Sequence, residues 1–270
     1  MNLIAAFVGK GGVGKTTIAS AVALRLSERG KTIIVSSDFM PSLKYIFRDS
    51  RKNLDVVAIS EKEVAEKWKE RYGRDVLTVA REIADVDEWI VDHIARSPGV
   101  GEEFLLSNIV EIDLSKEYDY VVWDTAASSS TMHLLLLERE FYDHIDRDIK
   151  FFVRVKDKFR SKKVFDLLNE WKRLAESVWN HIKNSQFFLV STPDELSLLQ
   201  AEEIKEDLES MGIKVRASIY NRCDDACRKE LHMKAEVFIP EFRGSASSIV
   251  NKIAEYLPES FIERLAKVVN

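Results

Sequence analysis

Short apolar runs alternate along this chain with longer amphipathic stretches. Most of these runs lack a polar residue at every second position, which is typical of strands covered on both faces. The predicted strands are Leu3–Val8, Thr32–Ser36, Leu54–Ile59, Tyr120–Trp123, Gln186–Val190, Val215–Tyr220 and Val237–Ile239. Helical spacing covers Thr16–Arg29 and Pro193–Met211, and each is followed by a glycine suited to a helix C-cap. This alternation predicts an α/β fold with a doubly wound, mostly parallel sheet and helices on both faces.

Two stretches break the alternation of strands and helices. Residues 61–117 have an all-helical pattern and are acidic, and residues 138–184 are mostly helical around a basic core, Lys150–Lys163. We interpret both as helical insertions that form a subdomain on one side of the sheet. Because no Pro/Gly-rich linker divides the chain, we predict one domain over residues 1–270.

The composition of the chain excludes disordered, membrane-spanning and disulfide-rich proteins. The chain has 270 residues, of which 46% are hydrophobic and 31% charged, so it is globular and not disordered. Its longest apolar runs are too short to span a bilayer. The net charge of −5 argues against general nucleic-acid binding, and two cysteines exclude a disulfide scaffold. We therefore predict a soluble cytoplasmic protein in a reducing compartment.

A glycine-rich loop between the first strand and the first helix carries the strongest chemical signal. Residues 9–16 match the phosphate-loop pattern G-x-x-x-x-G-K-[ST]. Glycines allow the backbone N–H groups to curl around an anion, and the following helix adds its positive end. Lys15 is expected to reach the β- and γ-phosphates of ATP, and Thr16 to give an oxygen to Mg²⁺. The expected nucleotide-binding residues are Gly9, Gly11, Gly12, Val13, Gly14, Lys15, Thr16 and Thr17.

Three charged residues extend this site beyond the loop. Lys10 lies inside the loop and by itself is either a solvated lysine or a group that stabilises transition-state charge in a second subunit. Asp38 and Asp124 directly follow predicted strands, where ligands of such sheets bind. ATP hydrolysis needs a group that orients water and an acid near Mg²⁺, although either aspartate could instead be a turn or N-cap residue.

Residues 10–17, Lys-Gly-Gly-Val-Gly-Lys-Thr-Thr, resemble the deviant Walker A motif of dimeric P-loop ATPases. These include nitrogenase iron protein, partitioning and division-site ATPases, and the arsenite-pump-driving and tail-anchored-protein-targeting branch. The resemblance implies a homodimer that encloses ATP, in which Lys10 reaches the nucleotide of the partner subunit. Lys10, Lys15 and Asp38 are then the catalytic residues.

Two further segments resemble the switches of the arsenite-pump and tail-anchor branch. Residues 124–131 are similar to D-T-A-P-T-G-H-T, without its Pro, Gly and His. Residues 37–43 are similar to T-D-P-A-H-N-L, with Asp38 and Leu43 kept. The resemblance implies that Asp38 positions the catalytic water and that Asp124 holds the Mg²⁺ shell through water. Thr16, Asp38 and Asp124 form the expected metal set.

A base pocket is predicted from two segments near the C-terminus. Asn221 follows a strand, and the resemblance implies that an asparagine at this position reads the adenine edge. Its amide suits that role because it can donate and accept in one plane; the alternative is a turn asparagine. Residues 240–244 resemble the stretch that closes over the base in the same branch, which implicates Pro240 and Phe242. Residues 195–200, Glu-Leu-Ser-Leu-Leu-Gln, are also similar to this branch.

The insertions and cysteines leave alternatives open. The apolar stripes on residues 86–110 and 159–182 fit a packed core or a groove for a client transmembrane helix, but none of the five methionines lies in an insertion. Cys223 and Cys227 are either metal ligands or inert or redox thiols. Arsenite transport is disfavoured because the chain has a single phosphate loop, whereas pump-driving ATPases of the branch that it resembles are often two fused halves. The amphipathic C-terminal run, residues 261–269, fits a core helix or a membrane-docking tail.

The sequence thus predicts an ATP-hydrolysing homodimeric switch that uses ATP and Mg²⁺ and has a role in targeting a hydrophobic client or membrane protein. One alternative is a partitioning or positioning ATPase that binds membrane or DNA. Another is a non-catalytic nucleotide-dependent adaptor.

Overall fold

The sheet has the predicted strands in a parallel arrangement. The computed structural model describes residues 4–38, 42–83, 87–96, 100–126, 131–136, 162–224, 227 and 237–267. The strands are β1 (Ile4–Val8), β2 (Thr32–Ser36), β3 (Leu54–Ala58), β4 (Tyr120–Asp124), β5 (Gln186–Ser191), β6 (Val215–Asn221) and β7 (Val237–Ile239). Within the described residues they form one seven-stranded sheet in the order β3-β2-β4-β1-β5-β6-β7, with every pair parallel. The predicted doubly wound α/β fold is confirmed.

Helices connect these strands. They are α1 (Lys15–Ser27), α2 (Leu43–Ile46), α3 (Glu61–Ile83), α4 (Trp89–Ala95), α5 (Val100–Leu114), α6 (Lys162–Lys183), α7 (Glu195–Ser210), α8 (Ala246–Tyr256) and α9 (Glu259–Lys267). Residues 131–136 are also helical. Two of these helices have a side-chain N-cap. The Asp194 side chain accepts a hydrogen bond from the Ser197 amide at the start of α7, and the Ser245 side chain accepts one from the Ser248 amide at the start of α8. Among the described helices, none combines the length and apolar character that crossing a membrane requires.

The chain divides into two compact units. One contains the sheet and covers residues 1–59, 109–132 and 182–270, and the other covers residues 60–108 and 133–181. The second unit falls close to the two predicted insertions, 61–117 and 138–184. Residues 137–161, which include most of the basic stretch Lys150–Lys163, lie outside the described residues. The assignment of the chain to a single domain stays a prediction.

Aromatic packing holds the C-terminal helices against the sheet unit. Phe7 on β1 stacks on Phe188 of β5 with ring centroids 5.3 Å apart, and Phe261 of α9 meets Phe188 edge-on at 5.7 Å. Phe261, Ile262 and Leu265 are all buried in the same core as α1. The C-terminal helix therefore packs into the core, which argues against the membrane-docking alternative. Residues 268 and 269 of the amphipathic run lie outside the described residues.

The second unit has an aromatic core of its own. Tyr72 of α3 meets Phe104 of α5 and Trp171 of α6 edge-on, with centroids 5.9 and 6.0 Å apart. On the part of α6 that belongs to this unit, Val178 is buried. Where the stripes are described, packing therefore dominates, and Trp89, 58% exposed on α4, is the clear exception among their described aromatic residues.

Candidate active site

The glycine-rich loop begins after Val8 of β1 and ends where α1 begins at Lys15. At two of its glycines, Gly9 and Gly14, a Cβ atom would collide with a neighbouring residue. A Cβ on Gly9 would lie 2.1 Å from the carbonyl oxygen of Val190 on the neighbouring strand β5. Gly14 is the N-cap of α1 with φ +96°, in the left-handed region, and a Cβ there would lie 2.4 Å from Nδ2 of Asn221. The loop is therefore pressed against the sheet at both of its ends.

The middle of the loop is open, and this opening is the cradle for an anion. A Cβ on Gly11 or Gly12 would meet nothing within 4 Å. The first turn of α1 carries no acidic residue, and Gly14 gives it no side-chain cap. Uncapped N–H groups at a helix N-terminus and the helix dipole favour a phosphate. The cradle thus fits the triphosphate predicted from the sequence.

Lys15 is buried beneath the cradle and bound to the loop itself. Its Nζ donates to the carbonyl oxygens of Gly9 at 3.0 Å and Lys10 at 3.2 Å. Burial lowers the pKa of Lys15, while the negative charges of Asp124 and Asp38 oppose that shift. The charge of Lys15 therefore stands between the loop and two carboxylates. Thr16 and Thr17 follow on α1 and are both partly exposed.

Asn221 ends β6 beneath the loop. Its Nδ2 donates to the carbonyl oxygen of Val13 at 2.8 Å, and both residues are buried. In this structure the asparagine amide holds the phosphate loop in place. Its predicted contact with adenine stays a prediction, as do those of Pro240 and Phe242. The Phe242 ring is partly buried and meets Tyr256 of α8 edge-on at 5.9 Å.

Asp124 lies at the meeting point of three strand ends. It pairs in register with Phe7 of β1 and Ser36 of β2, and it is completely buried. Its Oδ2 accepts from the Ser36 hydroxyl at 2.9 Å, while Oδ1 has no hydrogen-bond partner among the described residues. Burial raises the pKa of Asp124 to about 6, against the opposing effects of the Ser36 and Thr16 hydroxyls and of the Lys15 charge. A buried carboxylate with one unpaired oxygen is a site prepared for a cation or its water.

Asp38 follows β2 and is partly buried. Its backbone N–H donates to the hydroxyl of Ser36 at 3.3 Å, the same hydroxyl that binds Asp124. The carboxylate of Asp124 and the backbone of Asp38 are therefore linked through one serine hydroxyl. Residues 39–41 of the first switch and 127–130 of the second lie outside the described residues.

Lys10 lies at the exposed lip of the loop. Its Nζ is 4.0 Å from Oδ1 of Asp194, and its side chain is 29% exposed. Hydrogen bonds from the Thr192 hydroxyl and the Ser197 amide lower the pKa of Asp194, which keeps it charged. An exposed ion pair at this distance contributes little stability, so Lys10 can leave it easily.

The residues present fit ATP and Mg²⁺. The open cradle suits phosphates, and the unpaired Oδ1 of Asp124 together with the Thr16 hydroxyl offers the hard oxygen donors that Mg²⁺ prefers. Within the described residues no group of three or more His, Cys, Asp or Glu side chains could hold a metal ion alone. Mg²⁺ typically needs only one or two carboxylates, because phosphates and water complete its coordination.

Cys223 and Cys227 form a disulfide, so neither thiol is free. Of the alternatives left open by the sequence, metal ligands and inert thiols are therefore wrong for this structure, whereas a redox pair is compatible with the bond. Sequence reasoning could not find this bond because the four-residue separation fits metal ligands and thiols as well. It also missed Ser36 and Ser37, which the structure places between the two carboxylates. Their only signal was the pair of hydroxyls directly before Asp38.

Comparisons with known proteins place this geometry in a family. Residues 2–256 match the family model described as anion-transporting ATPase. The chain belongs to this ATPase family. It is therefore a P-loop ATPase that hydrolyses ATP, as the loop predicts, and the resemblance to the arsenite-pump and tail-anchor branch is confirmed.

Individual relatives agree with the family match. A putative arsenical pump-driving ATPase 2 of Aquifex aeolicus is 30% identical over 237 residues, which cover 80% of this chain and 78% of that protein. An arsenical pump-driving ATPase of Escherichia coli is 28% identical over 92% of this chain, but the chain covers only 40% of that protein. An ATPase ASNA1 homolog of Plasmodium yoelii yoelii is 20% identical over 81% of this chain and 63% of its own length.

Proposed function

We propose that this ATPase is a Mg²⁺-dependent homodimeric switch. The cradle and Lys15 bind the phosphates, Thr16 and Asp124 hold Mg²⁺, and Asp38 orients the attacking water. When bound, Mg²⁺ supplies positive charge that offsets the charge developing on the transferred phosphoryl group. The buried Lys15 charge adds to this effect in a site of low dielectric. A location in the cytoplasm stays part of the proposal.

The position of Lys10 is the observation that supports a dimer. Its side chain is partly exposed and makes a loose ion pair with Asp194, whereas the buried Lys15 donates to the loop carbonyls. Its partner Asp194 caps α7, where Leu196 and Leu199 are 56% and 57% exposed. An exposed apolar pair beside a catalytic lysine supports an interface between two copies, in which each Lys10 completes the site of its partner.

Mixing two inactive variants tests this proposal. Lys10→Ala removes the lysine, and Asp38→Asn removes the group that orients water. If Lys10 acts on the partner's nucleotide, a mixed dimer has one intact site, formed by Asp38 of the first variant and Lys10 of the second. Random pairing then restores about one quarter of the wild-type rate of phosphate release.

The outcomes separate the alternatives. No recovery after mixing, with both variants dimeric, means that Lys10 acts within its own subunit. A monomer that hydrolyses ATP at the wild-type rate refutes the switch. Absent turnover in the unmutated protein supports the adaptor, whereas Asp38→Asn that binds ATP without releasing phosphate supports the enzyme. Lys214→Ala is the matched control, because Lys214 is exposed and directly precedes β6, at the amino ends of the strands, whereas the phosphate loop follows the carboxyl end of β1.

We propose a hydrophobic client, not arsenite, as the partner of the switch. Arsenite needs thiolate ligands, and both cysteines are consumed by the disulfide. The exposed Trp89 of the second unit supports contact with an apolar partner. The test is a pull-down with the ATP-loaded Asp38→Asn protein. The control is the same protein with the additional substitution Trp89→Ala. Recovery of proteins with a hydrophobic helix supports targeting, and recovery of soluble partners alone, or turnover stimulated by arsenite, refutes it.

A further inference from the structure

One serine hydroxyl joins the ends of β2 and β4. Ser37 Oγ accepts from the indole Nε1 of Trp123 at 3.0 Å and from the backbone N–H of Ala126 at 3.3 Å. The Ser37 backbone N–H also donates to the carbonyl oxygen of Asp124 at 3.1 Å. Ser37 and Trp123 are buried. We name this set of three hydrogen bonds the switch bridge.

The switch bridge depends on the Ser37 hydroxyl as a hydrogen-bond acceptor. An indole N–H is only a donor, and a buried one needs an acceptor, which here is the Ser37 hydroxyl. A hydroxyl has two acceptor positions, and the Trp123 and Ala126 donors occupy both. These donors lie directly before and after the Asp124-Thr125 pair. Ser37 therefore holds the Trp123 side chain and, through the Asp124 carbonyl and the Ala126 N–H, the backbone that follows Asp124.

Because of its position in the chain, Ser37 connects the placement of Asp38 with that of Asp124. Ser37 lies between Ser36, whose hydroxyl binds Asp124 Oδ2, and Asp38. A displacement of Ser37 therefore changes the placement of Asp38 relative to Asp124. Ala126 extends the effect to Thr131, whose hydroxyl donates to the Ala126 carbonyl oxygen at 3.2 Å. One hydroxyl thus holds the start of both predicted switches.

We propose that Ser37, with Trp123 as its donor, is a positioning residue that couples the two switches during ATP hydrolysis. This inference rests on the proposed function, because it takes Asp38 as the group that orients water. Ser37 acts through Asp38 and Asp124. Loss of the Ser37 hydroxyl should slow the chemical step. ATP binding at the cradle should be nearly unchanged, because none of the three hydrogen bonds of the switch bridge involves the Gly9–Gly14 loop or Lys15.

Steady-state kinetics of four variants test the coupling. Ser37→Ala removes the acceptor and Ser37→Thr restores it, while Trp123→Phe keeps an aromatic ring and removes only the N–H. Ser37→Ala should lower kcat at least about tenfold with KM for ATP changed less than about twofold, because small misplacements of catalytic groups are costly. Ser37→Thr should recover most of the rate. Ser210→Ala on the exposed end of α7 is the control and should leave both constants unchanged.

A double-mutant cycle makes the test sharper. If Ser37 and Trp123 work as a pair, Ser37→Ala/Trp123→Phe is no slower than Ser37→Ala alone. Independent, multiplying effects on kcat overturn the inference, as does a Ser37→Ala protein that loses thermal stability but keeps its kcat. If Ser37→Ala does not fold, a normal kcat in Trp123→Phe overturns it. A wild-type protein without turnover overturns this inference together with the proposed function, whereas an active wild type with unaffected variants overturns the inference alone.

Discussion

Replacing Asp124 by asparagine should stabilise the nucleotide-free protein at neutral pH. Asp124 is fully buried, and only its Oδ2 has a hydrogen-bond partner in the described part of the chain. Burial raises the pKa of this carboxyl from 3.8 to about 6. The ionised form present at neutral pH is therefore held at a cost, because it has lost its hydration without gaining full compensation.

The sign and size of the effect follow from proton linkage. Between pH 3.8 and about 6 the folded protein keeps a proton on Asp124 that the unfolded chain has released. The free energy of unfolding therefore falls as pH rises through this window and stays lowered above it. The difference between the two pKa values corresponds to about 3 kcal/mol. Asparagine stays neutral at every pH and escapes this penalty.

Urea and thermal unfolding without nucleotide, at about pH 4 and about pH 8, measure the effect. The stability of Asp124→Asn relative to wild type should rise from near zero at the lower pH to about 3 kcal/mol at the higher. Asp75→Asn, an exposed position on α3, is the control and should show no such trend. A pH-independent difference, or a variant less stable than wild type at the higher pH, would refute the reasoning. Phosphate release by Asp124→Asn should fall sharply.

Three other predictions concern the loop, the core and the disulfide. Gly14→Ala should destabilise the fold by about 1–3 kcal/mol and weaken ATP binding in calorimetry, because of its left-handed φ and the close Asn221 amide; Gly11→Ala, in open space, should leave stability unchanged. Phe261→Ala should lower the free energy of unfolding by about 3–5 kcal/mol. Glu259→Gln, which breaks ion pairs to Arg25 and Arg29, should lower it by less than about 1 kcal/mol in the same urea titration. Reduction of the Cys223–Cys227 disulfide should destabilise the protein by at most about 2 kcal/mol in thermal scans, because the bond closes a very short loop.

The strands were predictable because the sheet is buried on both faces. A covered strand must be apolar throughout, so β1, β2 and β5 appear in the sequence as uninterrupted runs and are fully buried in the structure. β3 shows the limit of that signal. Its run is apolar apart from Asp55, yet Val56 and Val57 are 36% exposed because β3 is the edge strand. Strand order depends on pairing between distant segments, which an apolar pattern does not encode.

The loop was predictable for a different reason. Gly9 and Gly14 stand where any Cβ would collide or force a disfavoured φ, so local geometry dictates the residue type. The contacts that organise the two carboxylates have no such local signature. Ser37 and Trp123 are 86 positions apart and meet only because β2 and β4 are neighbours in the sheet. A serine before an aspartate or a tryptophan in a strand is unremarkable until the pairing is known.

The active site combines several groups that oppose folding. Asp124 is buried with an unpaired oxygen, Lys15 loses hydration, and Gly14 adopts a conformation that most residues avoid. A neutral side chain in place of Asp124 or Lys15 would remove the cost of burying a charge, and we propose that all three groups are kept because they bind a triphosphate with its cation. Asp124 lies where the buried strands β1, β2 and β4 end, Lys15 donates to the Gly9 carbonyl just after β1, and Gly14 lies against Asn221 at the end of β6. The stability of the central strands is thus what allows the unfavourable groups to be held in place, and the same rigidity lets one hydroxyl on β2 set the position of a carboxylate on β4.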